Sequence, residues 1–275
     1  VTLATLSAVL QPALRDRYAV AGVVCLGWED MRAYVRAAEA EDCAVILQAG
    51  PGCRAHTPLP VLAASIRVLA EAASVPVVAH LDHGYTVEEC RQALEEGFTS
   101  LMYDGSRKPL AQNIDETGAV AALAHRYGLS CEGEVGFVGY ADGETSQGTD
   151  PEEAATFAKA TGVDALAISV GNVHLQQDAG NGLDRDRIAA IEAVTDVPLV
   201  IHGGSGVPAP ERRKLAQTTS ICKFNIGTEL RMAFGAALRA HLAQEPDHFD
   251  RIDILKGTES ALMETARVVL RTLKT

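Results

Sequence analysis

Residues 75–84 read Val75-Pro76-Val77-Val78-Ala79-His80-Leu81-Asp82-His83-Gly84. An unbroken apolar run enters from a proline and leaves through two histidines, an aspartate and a glycine. A strand with one wet face would alternate polar and apolar residues. A continuous run fits a parallel strand covered on both sides by other elements. Similar runs occupy residues 19–26, 43–50, 100–105, 130–136, 165–171, 198–204 and 221–227, which with 76–82 makes eight. Helical patterns separate them at 28–41, 60–73, 86–96, 110–127, 151–161, 184–194 and 209–218, and another follows the last run at 228–242. Thr86 with Glu89 three residues on is a capping box. Asp150-Pro151-Glu152-Glu153 supplies a cap, an N1 proline and an acidic first turn. Eight strand–helix units without an obvious linker predict an α/β chain folded as one (β/α)₈ TIM barrel domain spanning 1–275, with additional C-terminal helices after residue 241. A doubly wound sheet would more often carry Gly-x-Gly-x-x-Gly after its first strand. The turn here is Gly27-Trp28-Glu29.

The bulk numbers agree with one large domain. The chain has 275 residues, 47% hydrophobic and 22% charged, with a formal charge of −12. That charge argues against nucleic acid or an anionic membrane as the partner, but not against a small anionic substrate held by backbone N–H groups. The six cysteines form no Cys-x-x-Cys pair, and most read as buried thiols of a reducing compartment. No basic leader precedes a long apolar run, and no stretch approaches a membrane span, so the expected location is the cytoplasm.

In a barrel the C-terminal strand ends face the active site. Here they offer His80, Asp82 and His83, then Asp104 and Ser106, Glu132 and Glu134, Asn172 and His174, His202, and Asn225. His125, His241 and His248 read as ordinary surface groups. His83, His174 and His202 converge from the third, sixth and seventh strands. Three histidines with an open position form a common catalytic zinc site. Asp82 reads either as a brace for a ligating histidine or as a general acid/base beside the metal. Period two puts His80 and Asp82 on one side of their strand and Leu81 on the other. The seventh strand ends in Ile201-His202-Gly203-Gly204-Ser205-Gly206, whose glycines and Ser205 suit an anion. The eighth ends in Asn225-Ile226-Gly227-Thr228, with Thr228 a candidate helix cap. Barrels often bind phosphate at these two positions.

The segments VPVVAHLDHG, LMYDGSRKPLAQNI, EGEVG, VGNVH, HGGSGVP and KFNIGTELR, in this order, resemble the class II, metal-dependent ketose-bisphosphate aldolases, including the fructose- and tagatose-bisphosphate enzymes. The likeness runs over nearly the whole chain. It implies reversible cleavage of a ketose (bis)phosphate to dihydroxyacetone phosphate and an aldehyde, through a metal-stabilised enediolate. It implies Asp82 as acid/base and His83, His174 and His202 as metal ligands, with Glu134 ligating in an alternative position. Gly171, Gly203, Ser205, Asn225 and Thr228 would hold the phosphate-bearing half. A second acidic group is expected on the loop after the fifth strand, with Asp142 the best match and Glu144 the next. The implied cofactor is one Zn²⁺, other divalent ions and an accessory monovalent cation being compatible. The implied assembly is a homodimer or homotetramer.

The chain departs from relatives at one side of the pocket. Where they commonly read Ala-Phe-Asn-Val-Asn, this chain has Gly22-Val23-Val24-Cys25-Leu26, without either asparagine. A small hydroxyl residue is replaced by Gly50, and a glycine after the second metal histidine by Leu175. Lost polar partners change substrate discrimination. Two alternatives follow: a metal-dependent ketose epimerase, or an aldolase for an unphosphorylated or otherwise unusual ketose.

Overall fold

The computed structural model describes residues 2–141, 143–177 and 182–274. The elements in chain order are β1 (Leu3–Ala4), α1 (Leu6–Asp16), β2 (Val20–Val24), α2 (Trp28–Ala40), β3 (Val45–Ala49), α3 (Pro51–His56), α4 (Leu59–Ala72) and β4 (Val77–Gly84). They continue with α5 (Val87–Glu96), β5 (Ser100–Tyr103), α6 (Leu110–Arg126), β6 (Ser130–Val135), α7 (Pro151–Thr161), β7 (Ala165–Ile168), α8 (Arg185–Glu192) and β8 (Leu199–Ile201). After a 3₁₀ turn at Gly204–Gly206 come α9 (Ala209–Thr218), β9 (Ile221–Ile226), α10 (Thr228–Gln244) and α11 (Arg251–Lys274). Strands β2 to β9 pair in sequence order, all parallel, and β9 pairs with β2, closing an eight-stranded barrel. The expected (β/α)₈ fold is therefore present, with each predicted run and helix at its predicted place.

Three elements were not foreseen. The short β1 adds to the start of β4, with Leu3 opposite Val77. Helix α1 seats Leu6, Val9, Leu10 and Ala13 against Val20, Ile46, Val78 and Val200, so it plugs the N-terminal mouth of the barrel. Helix α3 sits in the turn after β3. At the other terminus, α11 packs against α2, α9, α10 and β2 and buries Leu262, Ala266, Val269, Leu270 and Leu273. Helix α10 buries only Leu230. The long C-terminal helix thus completes the outer layer beside β2, and α10 stands outside it. Glu41 at the end of α2 holds α11 through Arg267 at 2.8 Å and Arg271 at 2.7 Å.

The barrel closes at its N-terminal end with apolar side chains. Its buried polar side chains run from mid-barrel, at His80, Glu132 and Lys223, to the C-terminal strand ends.

Candidate active site

Three histidines reach one point above the barrel. The register of β4 slips between Leu81 and Gly84, and His83 sits in that irregularity with φ 53°. Left-handed backbone is costly for a residue with a β-carbon. It turns the ring inward and lets the His83 N–H donate to Met102 Sδ at 3.4 Å. His202 follows β8 directly and is fully buried. His174 lies in the loop after β7, where its N–H donates to Gly139 O at 2.8 Å and its carbonyl accepts from Ala141 N at 3.0 Å. Tyr140 stacks on its ring at 4.9 Å.

Each of two histidines has one nitrogen committed. His83 Nδ1 is 2.7 Å from Asp104 Oδ2, and His202 Nε2 is 3.0 Å from Glu132 Oε1. The remaining nitrogens, His83 Nε2 and His202 Nδ1, face each other at 3.1 Å. Carboxylates that accept the far N–H aim the near nitrogens at one another, and a metal ion there would displace any proton they carry. Two nitrogens bound at ~2.0–2.1 Å in a tetrahedral site stand roughly 3.3 Å apart, so the observed spacing suits a shared cation. Ligand atoms of His83, His174 and His202 all lie within 4.8 Å of one another. Glu134 Oε2 is buried without a hydrogen-bond partner, 3.5 Å from His202 Nδ1. His83, Asp104 and Glu134 form a second, overlapping group of the same kind. An orphaned carboxylate oxygen beside three imidazoles fits a divalent metal.

The local charges follow from burial. Burial opposes a charge on His83, but Asp82 and the hydrogen bond to Asp104 outweigh it and raise its pKa to about 10. Burial, then repulsion from His83, lowers His174 to about 3 and puts His202 well below its ordinary value. Burial works against the Asp104 carboxylate, yet the His83 hydrogen bond holds it below the usual range. Burial, aided by Asp104, pushes Glu134 well up.

A polar floor lies under the histidines. Lys223 Nζ donates to Glu132 Oε2 at 2.6 Å and lies 3.5 Å from His80 Nε2. His80 Nδ1 is 2.7 Å from Ser100 Oγ. Burial, then Lys223, keeps His80 well below its ordinary pKa. His80 therefore belongs to the barrel interior, as does Asp82 two residues on.

Asp82 lines a cavity of about 300 Å³ at the C-terminal mouth, with His83, His174, Gly203, Ser205, Asn225 and Thr228 also in its wall. Asn225 Nδ2 donates to Asp82 Oδ1 at 3.4 Å. A β-carbon at Gly50 would stand 3.2 Å from Asp82 Oδ2, so the missing hydroxyl residue would have been Asp82's neighbour. Arg54 braces this segment from outside. Its guanidinium donates to the carbonyls of Ala49, Asp82 and His83, the last two at 2.6 and 2.9 Å, and to Glu89. It ties the ends of β3 and β4 together.

The anion side differs in one detail from expectation. The cap of α10 is Gly227, and Thr228 is the first helical residue. Ser205 Oγ accepts from Gly227 N at 3.3 Å and Glu229 N at 3.4 Å, so a hydroxyl from the β8 turn does the capping that Thr228 was expected to do. Gly203 has φ 64°, and a β-carbon there would lie 2.1 Å from Val173 O. Only glycine lets the two loops approach so closely. Leu175 also adopts positive φ, 59°, in the cavity wall.

Other expected residues are placed elsewhere. Gly171 borders a small recess with Gly182, Leu183 and Gly203 rather than the main cavity. Glu144 is exposed and ion-paired with Arg107. Asp142 lies outside the described residues. Sequence reading missed Arg54, Tyr140, Lys223 and Arg231, the last a cavity-lining guanidinium. Lys223 had a signal: a lone charge in Ile221-Cys222-Lys223-Phe224, in phase with Asn225.

The chain matches the family Fructose-bisphosphate aldolase class-II over residues 4–275. It is 35% identical over 268 residues, 95% of this chain and 92% of the relative, to "6-phospho-5-dehydro-2-deoxy-D-gluconate aldolase" of Bacillus subtilis (strain 168). A protein of the same name from Shouchella clausii (strain KSM-K16) is 43% identical over 180 residues, 64% of this chain and 61% of that one. Among solved structures, the YdjI aldolase from Escherichia coli K12 superposes with TM-score 0.86 at 28% identity, covering 98% of this chain and 97% of that one. The fructose-bisphosphate aldolase from Campylobacter jejuni, at 22% identity and TM-score 0.80 over 98% and 93% of the two chains, shares the fold. The chain belongs to the class II fructose-bisphosphate aldolase family. Together with the histidine cluster, this makes it a metal-dependent, class II aldolase-type enzyme.

Proposed function

We propose that the protein cleaves, reversibly, a ketose phosphate into dihydroxyacetone phosphate and an aldehyde carrying an acidic group. The observation that carries this reading is the junction of three parts in one cavity: the histidine cluster, Asp82, and the Gly203–Ser205–Thr228 cradle. The cradle and the N-terminus of α10 suit the phosphate. The name of the Bacillus subtilis relative supplies the precedent for a phosphorylated sugar acid. Arg231, and the apolar Val24 and Leu26 where relatives have asparagines, support a changed aldehyde half.

The ion we assign to His83, His174 and His202, with Glu134 in reserve, is zinc. Bound there, it supplies Lewis acidity to the oxygens of the ketose half. Asp82 takes the hydroxyl proton from the carbon on the aldehyde side. That C–O becomes a carbonyl as the adjacent C–C bond breaks, and the bond's electron pair passes to the ketose half as an enediolate. Asp142, which we prefer over the ion-paired Glu144, protonates the resulting carbon. Asn225 fixes the Asp82 carboxylate, and Arg54 fixes the backbone on which Asp82 and His83 sit.

We further assign the chain a single barrel domain and a cytoplasmic, homo-oligomeric existence. Support for assembly is the exposed apolar Met232 and Leu242 on α10. No helix among the described residues is long and apolar enough to cross a membrane.

The test is a retro-aldol screen of ketose phosphates with and without a terminal carboxylate, detecting both products, with and without chelator. Asp82→Ala should lower kcat by at least ~10²-fold at unchanged metal content. Recovery of the rate by added zinc would reduce Asp82 to a brace. Epimer formation without cleavage would overturn the aldolase reading.

A further inference from the structure

Helix α10 spans 17 residues, so its C-terminal end lies about 25 Å along the axis from the cavity at ~1.5 Å per residue. Two histidines that sequence reading treated as isolated surface groups meet there. His241 is in the last turn of α10, Glu245 is its C-cap residue, and His248 lies in the connection to α11. Ligand atoms of the three fall within 4.8 Å of one another. The rings of His241 and His248 are 5.9 Å apart and perpendicular.

Both Nε2 atoms are buried and have no hydrogen-bond partner. The His248 side chain is 28% exposed, so the orphaned atom is turned inward while the ring edge remains reachable from solvent. His248 Nδ1 is 3.4 Å from Glu245 Oε2. Its Nε2 is 4.0 Å from Asp253 Oδ2 on α11, a carboxylate whose other oxygen is 3.9 Å from Lys256 Nζ. Helix α11 presses against the first histidine: a β-carbon at Gly257 would stand 2.8 Å from His241 Nδ1. Glycine at 257 leaves room for the His241 ring, whose Nε2 is buried without a partner.

Leaving buried imidazole nitrogens unpaired is costly. Each ring leaves a buried nitrogen without a partner, and ligand atoms of both histidines and Glu245 lie within 4.8 Å of one another, a donor set that a cation would satisfy. We propose that His241, Glu245 and His248 bind a second divalent ion of the zinc type, separate from the catalytic centre. Two imidazoles and a carboxylate select zinc, cobalt or nickel over magnesium or calcium. The ion fixes the turn between α10 and α11. Since α11 completes the outer layer beside β2, it also secures the C-terminal closure of the barrel.

The experiment is zinc stoichiometry and thermal melting on the full chain, stripped with chelator and then titrated with Zn²⁺ alone. Wild type should bind about two ions per chain, and His241→Ala, His248→Ala and His202→Ala about one each. H241A and H248A should keep the cleavage activity of wild type, and H202A should lose it. Zinc should raise the Tm of H202A but leave the Tm of H202A/H248A unmoved. The proposal is overturned if H202A binds no ion, if H248A binds as many ions as wild type, or if the ion held by H202A binds only at millimolar zinc. The H202A background keeps this outcome separate from the fate of the catalytic assignment.

Discussion

Glutamate 132 is the most informative single perturbation. Its carboxylate joins His202 Nε2 at 3.0 Å to Lys223 Nζ at 2.6 Å, and all three side chains are 0% exposed. His80, the other group near Lys223, is held neutral by burial, so Glu132 alone balances the ammonium among the described neighbours. Glu132→Gln keeps the shape and removes the charge. Breaking a buried pair by removing one partner costs about 3–5 kcal/mol. At ~2–4 °C per kcal/mol for a domain of this size class, Tm should fall by roughly 6–20 °C. The amide also holds the His202 N–H less well than a carboxylate, so metal affinity should drop ~10–100-fold. The double variant Glu132→Gln/Lys223→Met removes both charges. It should recover most of the stability while metal affinity stays low, because His202 still lacks its carboxylate. The assays are chemical denaturation and competitive zinc titration on all four members of the cycle. A loss under ~1 kcal/mol in E132Q, or a double variant no more stable than E132Q, would refute the reading of this floor as a charge-balanced support.

Leu175 holds a left-handed backbone that costs a β-carbon-bearing residue about 1–2 kcal/mol. Leu175→Gly gives back ~0.5–1 kcal/mol through the freer unfolded chain. It should leave denaturation stability equal or slightly raised while altering KM, because the side chain lines the cavity; a clear loss of stability would show that Leu175 is held by packing instead. Arginines 267 and 271 lower the Glu41 pKa from 4.5 to about 2. A depressed carboxylate stabilises the fold above its unfolded pKa and ceases to as pH falls through its folded one. The destabilisation caused by Glu41→Gln should therefore be full above pH 4.5, shrink as the pH falls and vanish below about 2; melts of both proteins across that window check it, and a pH-independent difference would mean that Glu41 acts by packing.

The barrel was legible because its strands are continuous apolar runs ending in glycine or polar residues, and because its helices carry clear caps at Thr86 and Asp150. The histidine cluster was legible because barrel topology places strand ends on one face. What escaped needed contacts between distant segments. Arg54 is one arginine in a glycine-rich turn until its guanidinium is seen on three carbonyls. Lys223 and Glu132 lie 91 positions apart. The capping of α10 by Ser205 was misassigned because Thr228 has the right residue type at nearly the right position, and sequence does not register a hydroxyl arriving from β8. The pairing of His241 with His248 was missed because it needs the chain to turn between α10 and α11.

The central claim is that this cavity forms and stabilises an enediolate from dihydroxyacetone phosphate at the His83–His174–His202 centre. Enediolate formation can be measured without knowing the aldehyde, by following exchange of the C3 hydrogens of dihydroxyacetone phosphate in D₂O by NMR. Wild-type protein with zinc should exchange one of the two hydrogens stereospecifically, and neither His202→Ala nor chelator-treated wild type should exchange any. Failure of the zinc-loaded wild type to exchange, or exchange that survives both H202A and chelation, would contradict the account.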